Sequence, residues 1–262
     1  MTRQTAALAV KGLVKWYGSV TALAGIDFEI YPGEIAAIVG DNGAGKSTFV
    51  KILNGVAMPD EGSIFLRGEL VEFRSPADAM KLGIETVYQD LALAGDLSAA
   101  QNIFMGREVM KPGLLGRMGV LDKRQMRKQS TDLLERLEIA LPRDSVPVCD
   151  LSGGQRQCVA IARAVAWAHH VLILDEPTAA LGVAQQKVVL SLLKRIKRDH
   201  QIPIILVSHN MRDVFEVADR IIVFRRGQSV ATFRTSECTL NQVVGAITGS
   251  NDLLSNGGGT RR

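Results

Sequence analysis

Apolar residues recur along this chain with two periods, and the changes of period place the elements. Residues 7 to 31 read as two strands, ALAVKGLVKWYG and VTALAGIDFEIY, with alternating apolar positions and a turn near Gly18-Ser19. Pro32-Gly33 closes the second strand in a turn. A short continuous apolar run, Ile35 to Val39, predicts a buried strand that feeds a glycine-rich loop and a helix from about Lys46 to Val56. SIFLRG and ELVEFR then predict a small hairpin. Ser75 is expected to cap a short helix opened by Pro76 and ended at Gly83, followed by a strand over 84–88, closed by Gln89.

From Asp90 to about Asp150 the strand signals disappear. Ser98 is expected to cap AAQNIFMG, and Asp122 a helix that carries Met126, Leu133, Leu134 and Leu137 on one face. A loop with Pro112, Gly113, Gly116 and Gly119 lies between them. After it LSGGQRQ opens an apolar helix through Trp167, and VLILD is a buried strand ending at Asp175. The helix from about Ala184 to Asp199 is expected to bury Val189, Leu192, Leu193 and Ile196. IPIILVSH, the short helix MRDVFEVAD, a hairpin turning at Arg226-Gly227 and a helix over Thr239 to Thr248 complete the alternation.

Strands alternating with helices in this way predict an α/β fold, with a mostly parallel sheet covered on both faces. An antiparallel β subdomain precedes and follows the first buried strand, and an α-helical insertion spans about 90–155. Residues 1–250 are expected to form one domain, and 251–262 a disordered tail.

Composition changes this picture little. With 262 residues and 47% apolar content, a real core is available. A net charge of +4 suits a nucleotide ligand or a membrane-proximal surface and is too weak to argue for nucleic acid. Cys149, Cys158 and Cys238 are odd in number and form no C-x-x-C, which favours a reducing compartment. No signal peptide is expected from Met1 to Ala9, and no apolar run approaches the roughly 18 residues that span a bilayer. The chain is therefore expected to be soluble, or peripheral to a membrane through a partner. Arg107, Lys111, Arg117, Lys123, Arg124, Arg127 and Lys128 crowd residues 106–128, either as a solvated face or as a surface for a partner or lipid headgroups.

The chemistry begins at Gly40-Asp41-Asn42-Gly43-Ala44-Gly45-Lys46-Ser47, with Thr48 next, which fits the phosphate-loop pattern G-x-x-x-x-G-K-[ST]. Glycines let the backbone approach an anion closely, and the N–H groups at the helix start point at phosphate oxygens. Lys46 would serve the β- and γ-phosphates, and Ser47 would offer a hydroxyl to Mg²⁺. A phosphate-loop NTPase core is the expectation, against the plainer reading of a glycine-rich turn without ligand.

Asp175 and Glu176 end a buried aliphatic strand, where two adjacent acids call for a cation or a nucleotide–metal complex. Asp175 would hold Mg²⁺ through a water, and Glu176 would polarise the attacking water. Ser152-Gly153-Gly154-Gln155 reads either as a serine-capped helix start or as a second phosphate-binding N-terminus. Tyr17, in the patch KWYG, reads either as a half-buried strand aromatic or as a platform for adenine.

Taken together, these motifs resemble the ATP-binding subunit of an ABC transporter across nearly the whole chain. The resemblance implies an adenine-stacking Tyr17, a metal- and water-reaching Gln89 and a switch histidine at His209, beside the phosphate loop, LSGGQ and Asp175-Glu176. It implies ATP and Mg²⁺ as cofactors. Two domains would sandwich two ATP molecules, each between one phosphate loop and the other chain's Ser152-Gly153-Gly154. Membrane permease subunits would dock near Gln89 and the helical insertion. DNGAGKST, GIETVYQDLAL and DEPTAALG resemble the monosaccharide importers of the ribose, xylose and fructose type. With one ATPase half, the chain is expected to form a homodimer at the cytoplasmic face of the inner membrane, supplied indirectly by a sugar-binding protein, with no nucleic acid. A soluble ABC protein, a non-sugar importer and a small-molecule kinase are the competing readings.

One departure stands out. The family's usual S-A-L-D is here Ala179-Ala180-Leu181-Gly182. Gly182 is expected to sit in a crowded seam, where a new carboxylate would weaken ATP-driven dimerisation or coupled transport.

Overall fold

The computed structural model describes residues 5–143 and 145–250. The expected disordered tail at 251–262 lies outside the described residues. The first strands are β1 (Leu8–Tyr17), β2 (Val20–Ile30) and β3 (Ile35–Val39), followed by helix α1 (Lys46–Leu53). The hairpin β4 (Glu61–Leu66) and β5 (Glu69–Val71), helix α2 (Pro76–Lys81) and strand β6 (Ile84–Val87) come next. The insertion holds α3 (Ala99–Ile103), α4 (Leu114–Arg117) and α5 (Lys123–Arg136). The chain closes with α6 (Gly153–Trp167), β7 (Val171–Asp175), α7 (Val183–His200), β8 (Ile204–Val207), α8 (Met211–Val217), β9 (Arg220–Arg225), β10 (Gln228–Arg234) and α9 (Leu240–Thr248).

Two sheets result. One is antiparallel, in the order β2-β1-β4-β5. The other runs β10-β9-β3-β8-β7-β6, parallel throughout except for the antiparallel edge strand β10. The period-two pattern of the central strands divides the apolar interior into two layers. Ala36, Ile38, Val171, Ile173, Ile205 and Val207 face α1 and the antiparallel sheet. Ile35, Ala37, Val39, Leu172, Leu174, Ile204 and Leu206 face α6, α7 and α8 and join the core of the insertion. Both faces of each central strand are thus buried, which is why these strands read as unbroken aliphatic runs.

Boundaries shift by a few residues from expectation. Helix α1 stops at Leu53, because Asn54 leaves the helix and its side chain accepts from the Val56 N–H at 3.2 Å. Ser75 precedes α2 in extended backbone but caps no N–H; its hydroxyl instead donates to Asp78 at 2.9 Å. The glycine-containing loop at 112–119 contains the single helical turn α4. Ser98 and Asp122 cap α3 and α5 as expected, Ser98 through a full capping box with Gln101.

Candidate functional site

The parallel strands β3, β7 and β8 all point their carboxyl ends at one edge of the sheet, and the loops that follow them surround a cavity of about 490 Å³. Asn42, Gly43, Ala44, Gly45, Lys46, Ser47 and Thr48 line it, with Gln89, Asp175, Glu176 and His209. Val20, Thr21 and Ala22 of β2 form another wall.

Two glycines account for the loop's path. Gly40 has φ +152°, and a Cβ there would lie 2.1 Å from the Phe224 carbonyl oxygen. Gly45 has φ +105°, and a Cβ would lie 2.7 Å from the Ala22 carbonyl oxygen and 2.8 Å from the Leu23 side chain. Both positions combine left-handed backbone with contact against a neighbouring strand, so no larger residue fits. The loop is tied from outside as well: Gly227 N–H donates to the Ala44 carbonyl at 3.0 Å and Ala24 N–H to the Gly227 carbonyl at 2.8 Å.

Helix α1 begins at Gly45 with no side-chain cap and no acid in its first turn. Its leading N–H groups therefore open onto the cavity, the arrangement that receives an anion. Lys46 folds over its own loop, its Nζ donating to the Gly40 carbonyl at 2.6 Å and to that of Asp41 at 2.9 Å. Burial holds the Lys46 ammonium below the usual lysine range, against the pull of Glu176, Asp41 and Asp175.

On the facing strand, burial and the adjacent Glu176 raise the Asp175 carboxyl above the usual range, and Lys46 offsets only part of this. Glu176 sits in left-handed backbone, φ +51°, with its N–H donating to the Val207 carbonyl of β8 at 2.9 Å. A non-glycine residue there is a strained position, and strain of this kind is held in place by its surroundings. The Glu176 carboxylate is fixed by His209, whose backbone N–H donates to Oε1 at 3.1 Å and whose Nδ1 lies 2.7 Å from the same oxygen. A lone histidine after an apolar strand is thereby joined to the acidic strand end.

Oxygen donors from Ser47, Gln89, Asp175 and Glu176 share this cavity, yet no group of three or more His, Cys, Asp or Glu side chains forms a metal cage among the described residues. That donor set fits Mg²⁺ held by a carboxylate and a hydroxyl with the remaining positions filled by phosphates and water.

Two expected contributors lie elsewhere. Tyr17, 48% exposed at the end of β1, does not line the cavity; its ring receives the Lys15 ammonium at 5.5 Å. Ser152 begins α6 with a capping box, its hydroxyl accepting from Gln155 N–H at 3.3 Å and Gln155 Oε1 accepting from Ser152 N–H at 3.0 Å. Ser152, Gly154 and Gln155 border a separate cleft with Gln185 and Val188 of α7. Gly153 and Gly154 pack on the start of α7, where a Cβ at Gly154 would lie 3.0 Å from Gln185. Within one chain, LSGGQ and the phosphate loop do not share a cavity.

Several polar anchors escaped sequence reading. Arg163 on α6 donates to the Leu91 and Ala92 carbonyls, both at 2.8 Å, tying the segment after Gln89 to the LSGGQ helix. Buried Asn102 accepts from Ala94 N–H and donates to the Ala94, Leu97 and Ser98 carbonyls. Buried Thr178 donates to Asp213 at 2.6 Å. Arg107, one of the crowded cations, pairs with Glu85 at 2.6 Å and stacks on Trp167 at 4.9 Å, so it is a partly buried structural residue and not a solvated one. Only the proximity of Arg107 to a basic run was visible in the sequence, and it pointed the other way.

Gly182 is unstrained within the chain. Its φ of −69° is ordinary, it is the N-cap of α7, and an added Cβ would meet nothing within 4 Å. Within the chain the seam is open, and an Asp here would stand where N-cap acids accept helix N–H groups.

Comparison with known proteins fits this site. Residues 23–179, from β2 past the acidic strand end, match the ABC transporter family. The chain is 49% identical to a fructose import ATP-binding protein of Rhizobium meliloti over 94% of its own length and 95% of the relative's. It is 40% identical to a ribose import ATP-binding protein of Burkholderia thailandensis over 92% of its length, but covers only 46% of that protein. Among solved structures, it superposes on a cassette of a Clostridium perfringens ABC transporter complex with TM-score 0.78 and 31% identity, covering 96% of this chain and 97% of the other. A dimeric ATP-binding cassette bound to ADP and Pi matches with TM-score 0.71 and 26% identity, over 87% and 98%. No helix among the described residues is long and apolar enough to cross a membrane.

Proposed function

The chain belongs to the ABC transporter family, and on that premise we propose that it is the ATP-hydrolysing subunit of a monosaccharide importer, of the fructose, ribose or xylose type. The observation that carries the chemistry is the convergence of Lys46, Ser47, Gln89, Asp175, Glu176 and His209 on one cavity. The sugar class rests on the fructose import relative, 49% identical over nearly the whole of both chains.

In this reading the open N–H groups of α1 hold the β- and γ-phosphates, and Lys46 turns from the Gly40 and Asp41 carbonyls to the incoming anion. Tyr17 lies outside the cavity but pairs in register with Val20 on its wall, where it would meet adenine as the base extends beyond the cavity. Ser47, Asp175 and Gln89 would hold Mg²⁺, which would supply positive charge to offset that of the phosphates. Glu176 accepts a proton from the attacking water, and His209, hydrogen-bonded to Glu176, orients that carboxylate toward it.

Ser152, Gly153, Gly154 and Gln155 complete the site from a second copy of the chain, because they lie outside the cavity of their own. Two copies closing on two ATP molecules and reopening after hydrolysis would drive a membrane permease at the cytoplasmic face of the inner membrane. The permease docks in the groove between core and insertion, lined by Met80, Tyr88, Met105 and Trp167. Sugar reaches that permease from a binding protein on the far side.

Uptake in a host lacking this gene tests the proposal. Loss of uptake of one pentose or hexose, restored by the wild-type gene and not by a Glu176→Gln copy, is the expected outcome. Intact uptake of every monosaccharide tested would sink the sugar assignment.

A further inference from the structure

The insertion contains a loop that spends its backbone on order and turns its side chains outward. Between α3 and α5, residues 109–122 close into a finger. Asp122 N–H donates to the Val109 carbonyl at 2.7 Å and Lys111 N–H to that of Val120 at 2.9 Å. Val120 N–H in turn donates to the Leu115 carbonyl at 3.0 Å, across the turn of α4. At the base, Val109 and Leu121 pack on the main core. At the tip the pattern reverses: Leu114 is 73% exposed, Leu115 51% and Met118 71%. A folded segment whose apolar side chains find no core marks a surface that is covered by something else.

Charge says what covers it. Lys111 and Arg117 lie in the finger, and Lys123, Arg124, Arg127 and Lys128 follow at once on α5. These last four share one side of the helix, adjacent to the buried side that carries Met126, Leu133 and Leu134. None of the six has a carboxylate partner among the described residues. The acids in 105–130 are Glu108, which accepts from Gly106 N–H, and Asp122, which caps α5; neither forms an ion pair with the cations, which outnumber them. An exposed apolar tip with cations free of carboxylate partners beside it suits a fluid, anionic surface.

We propose that the 109–122 finger inserts Leu114, Leu115 and Met118 into the interface of an anionic lipid bilayer, with Lys123, Arg124, Arg127 and Lys128 on the headgroups. None of these residues lines the nucleotide cavity or the groove beside Trp167. The contact is therefore separable from ATP hydrolysis and from the groove assigned to the permease.

The test uses the full chain with vesicles of phosphatidylcholine alone and of phosphatidylcholine with phosphatidylglycerol, at physiological salt. Wild-type protein should sediment with the anionic vesicles and not with the neutral ones. A triple variant, Leu114→Ser with Leu115→Ser and Met118→Ser, and a quadruple variant, Lys123→Gln, Arg124→Gln, Arg127→Gln and Lys128→Gln, should each bind at least about tenfold more weakly. Both should keep wild-type ATPase in solution, which shows that they fold. Met118→Trp should shift its emission to the blue when anionic vesicles are added. Wild-type protein that ignores anionic vesicles overturns the proposal. So does a triple variant that binds as wild type, which would leave only diffuse charge attraction. Binding that appears only when the vesicles contain a permease would make the occupant a protein and overturn it equally.

Discussion

Two helix starts in this molecule carry glycines and face the chemistry, and they are built in opposite ways. Helix α1 begins at Gly45 in left-handed backbone with no cap, so its first N–H groups wait for an anion. Helix α6 begins at Ser152 with a closed capping box, so its own Gln155 already occupies the serine hydroxyl. The first leaves its leading N–H groups without a side-chain cap. The second is stable alone and presents two small residues on a preformed surface, as a lid contributed to another chain's ligand requires.

The largest effect that would sharpen this contrast is on the reacting end. Glu176→Gln should lower hydrolysis by about two to four orders of magnitude while ATP still binds. The ATP-bound dimer should then accumulate and elute early on size exclusion; a mutant that hydrolyses normally would remove Glu176 from the mechanism. Next, Lys46→Ala takes the only lysine ammonium from the uncapped helix start. ATP affinity, measured by nucleotide fluorescence titration, should drop about tenfold to a hundredfold, the range of a lost charge-assisted hydrogen bond. Unchanged affinity would mean that the phosphate loop is a turn without a ligand.

A smaller effect separates capping from ligand contact. Ser152→Ala and Ser98→Ala each remove a capping-box serine, of α6 and α3. Each should cost on the order of 1 kcal/mol, or about 2–4 °C in melting midpoint. Only Ser152→Ala should also depress ATPase; equal ATPase in the two variants would reduce LSGGQ to a helix start. The smallest effect concerns Gly182. With an unstrained φ and open space, Gly182→Ala should lower stability by at most about 1 kcal/mol, since alanine cannot cap, and Gly182→Asp should raise it by a few tenths of a kcal/mol through capping. A marked fall in ATP-driven dimerisation in Gly182→Asp alone would restore the crowded seam, as one formed between chains.

Much of this was legible before any coordinates, and the reason is locality. The phosphate loop, the caps at Ser98, Asp122 and Ser152, and the aliphatic runs of β3 and β7 are each specified within a few residues. What was not legible depends on partners far along the chain. Arg163 anchors carbonyls 71 and 72 residues away, Thr178 meets Asp213 across 35, and Arg107 leaves its basic run for Glu85. The surroundings of Gly182 were not legible for another reason: the seam expected there involves a second chain, and within one chain the residue is an unstrained N-cap with φ −69°. The left-handed Glu176 had no local signal at all, since its conformation is imposed by the hydrogen bond to Val207 and the contact with His209.

The central claim is that one nucleotide site is assembled from two chains, and mixing two dead proteins tests it most directly. Lys46→Ala disables a chain's phosphate loop. Gly153→Asp places a carboxylate against the partner's γ-phosphate, at a first-turn position where an acid suits the helix and an added Cβ has room. Each variant alone should be nearly inactive. In a mixed dimer, the wild-type loop of the Gly153→Asp chain meets the wild-type Ser152-Gly153-Gly154 of the Lys46→Ala chain, so one complete site forms. ATPase should appear on mixing and rise to a maximum near equal amounts. Activity that stays at the sum of the two separate variants, under conditions where mixed dimers are shown to form, would contradict it.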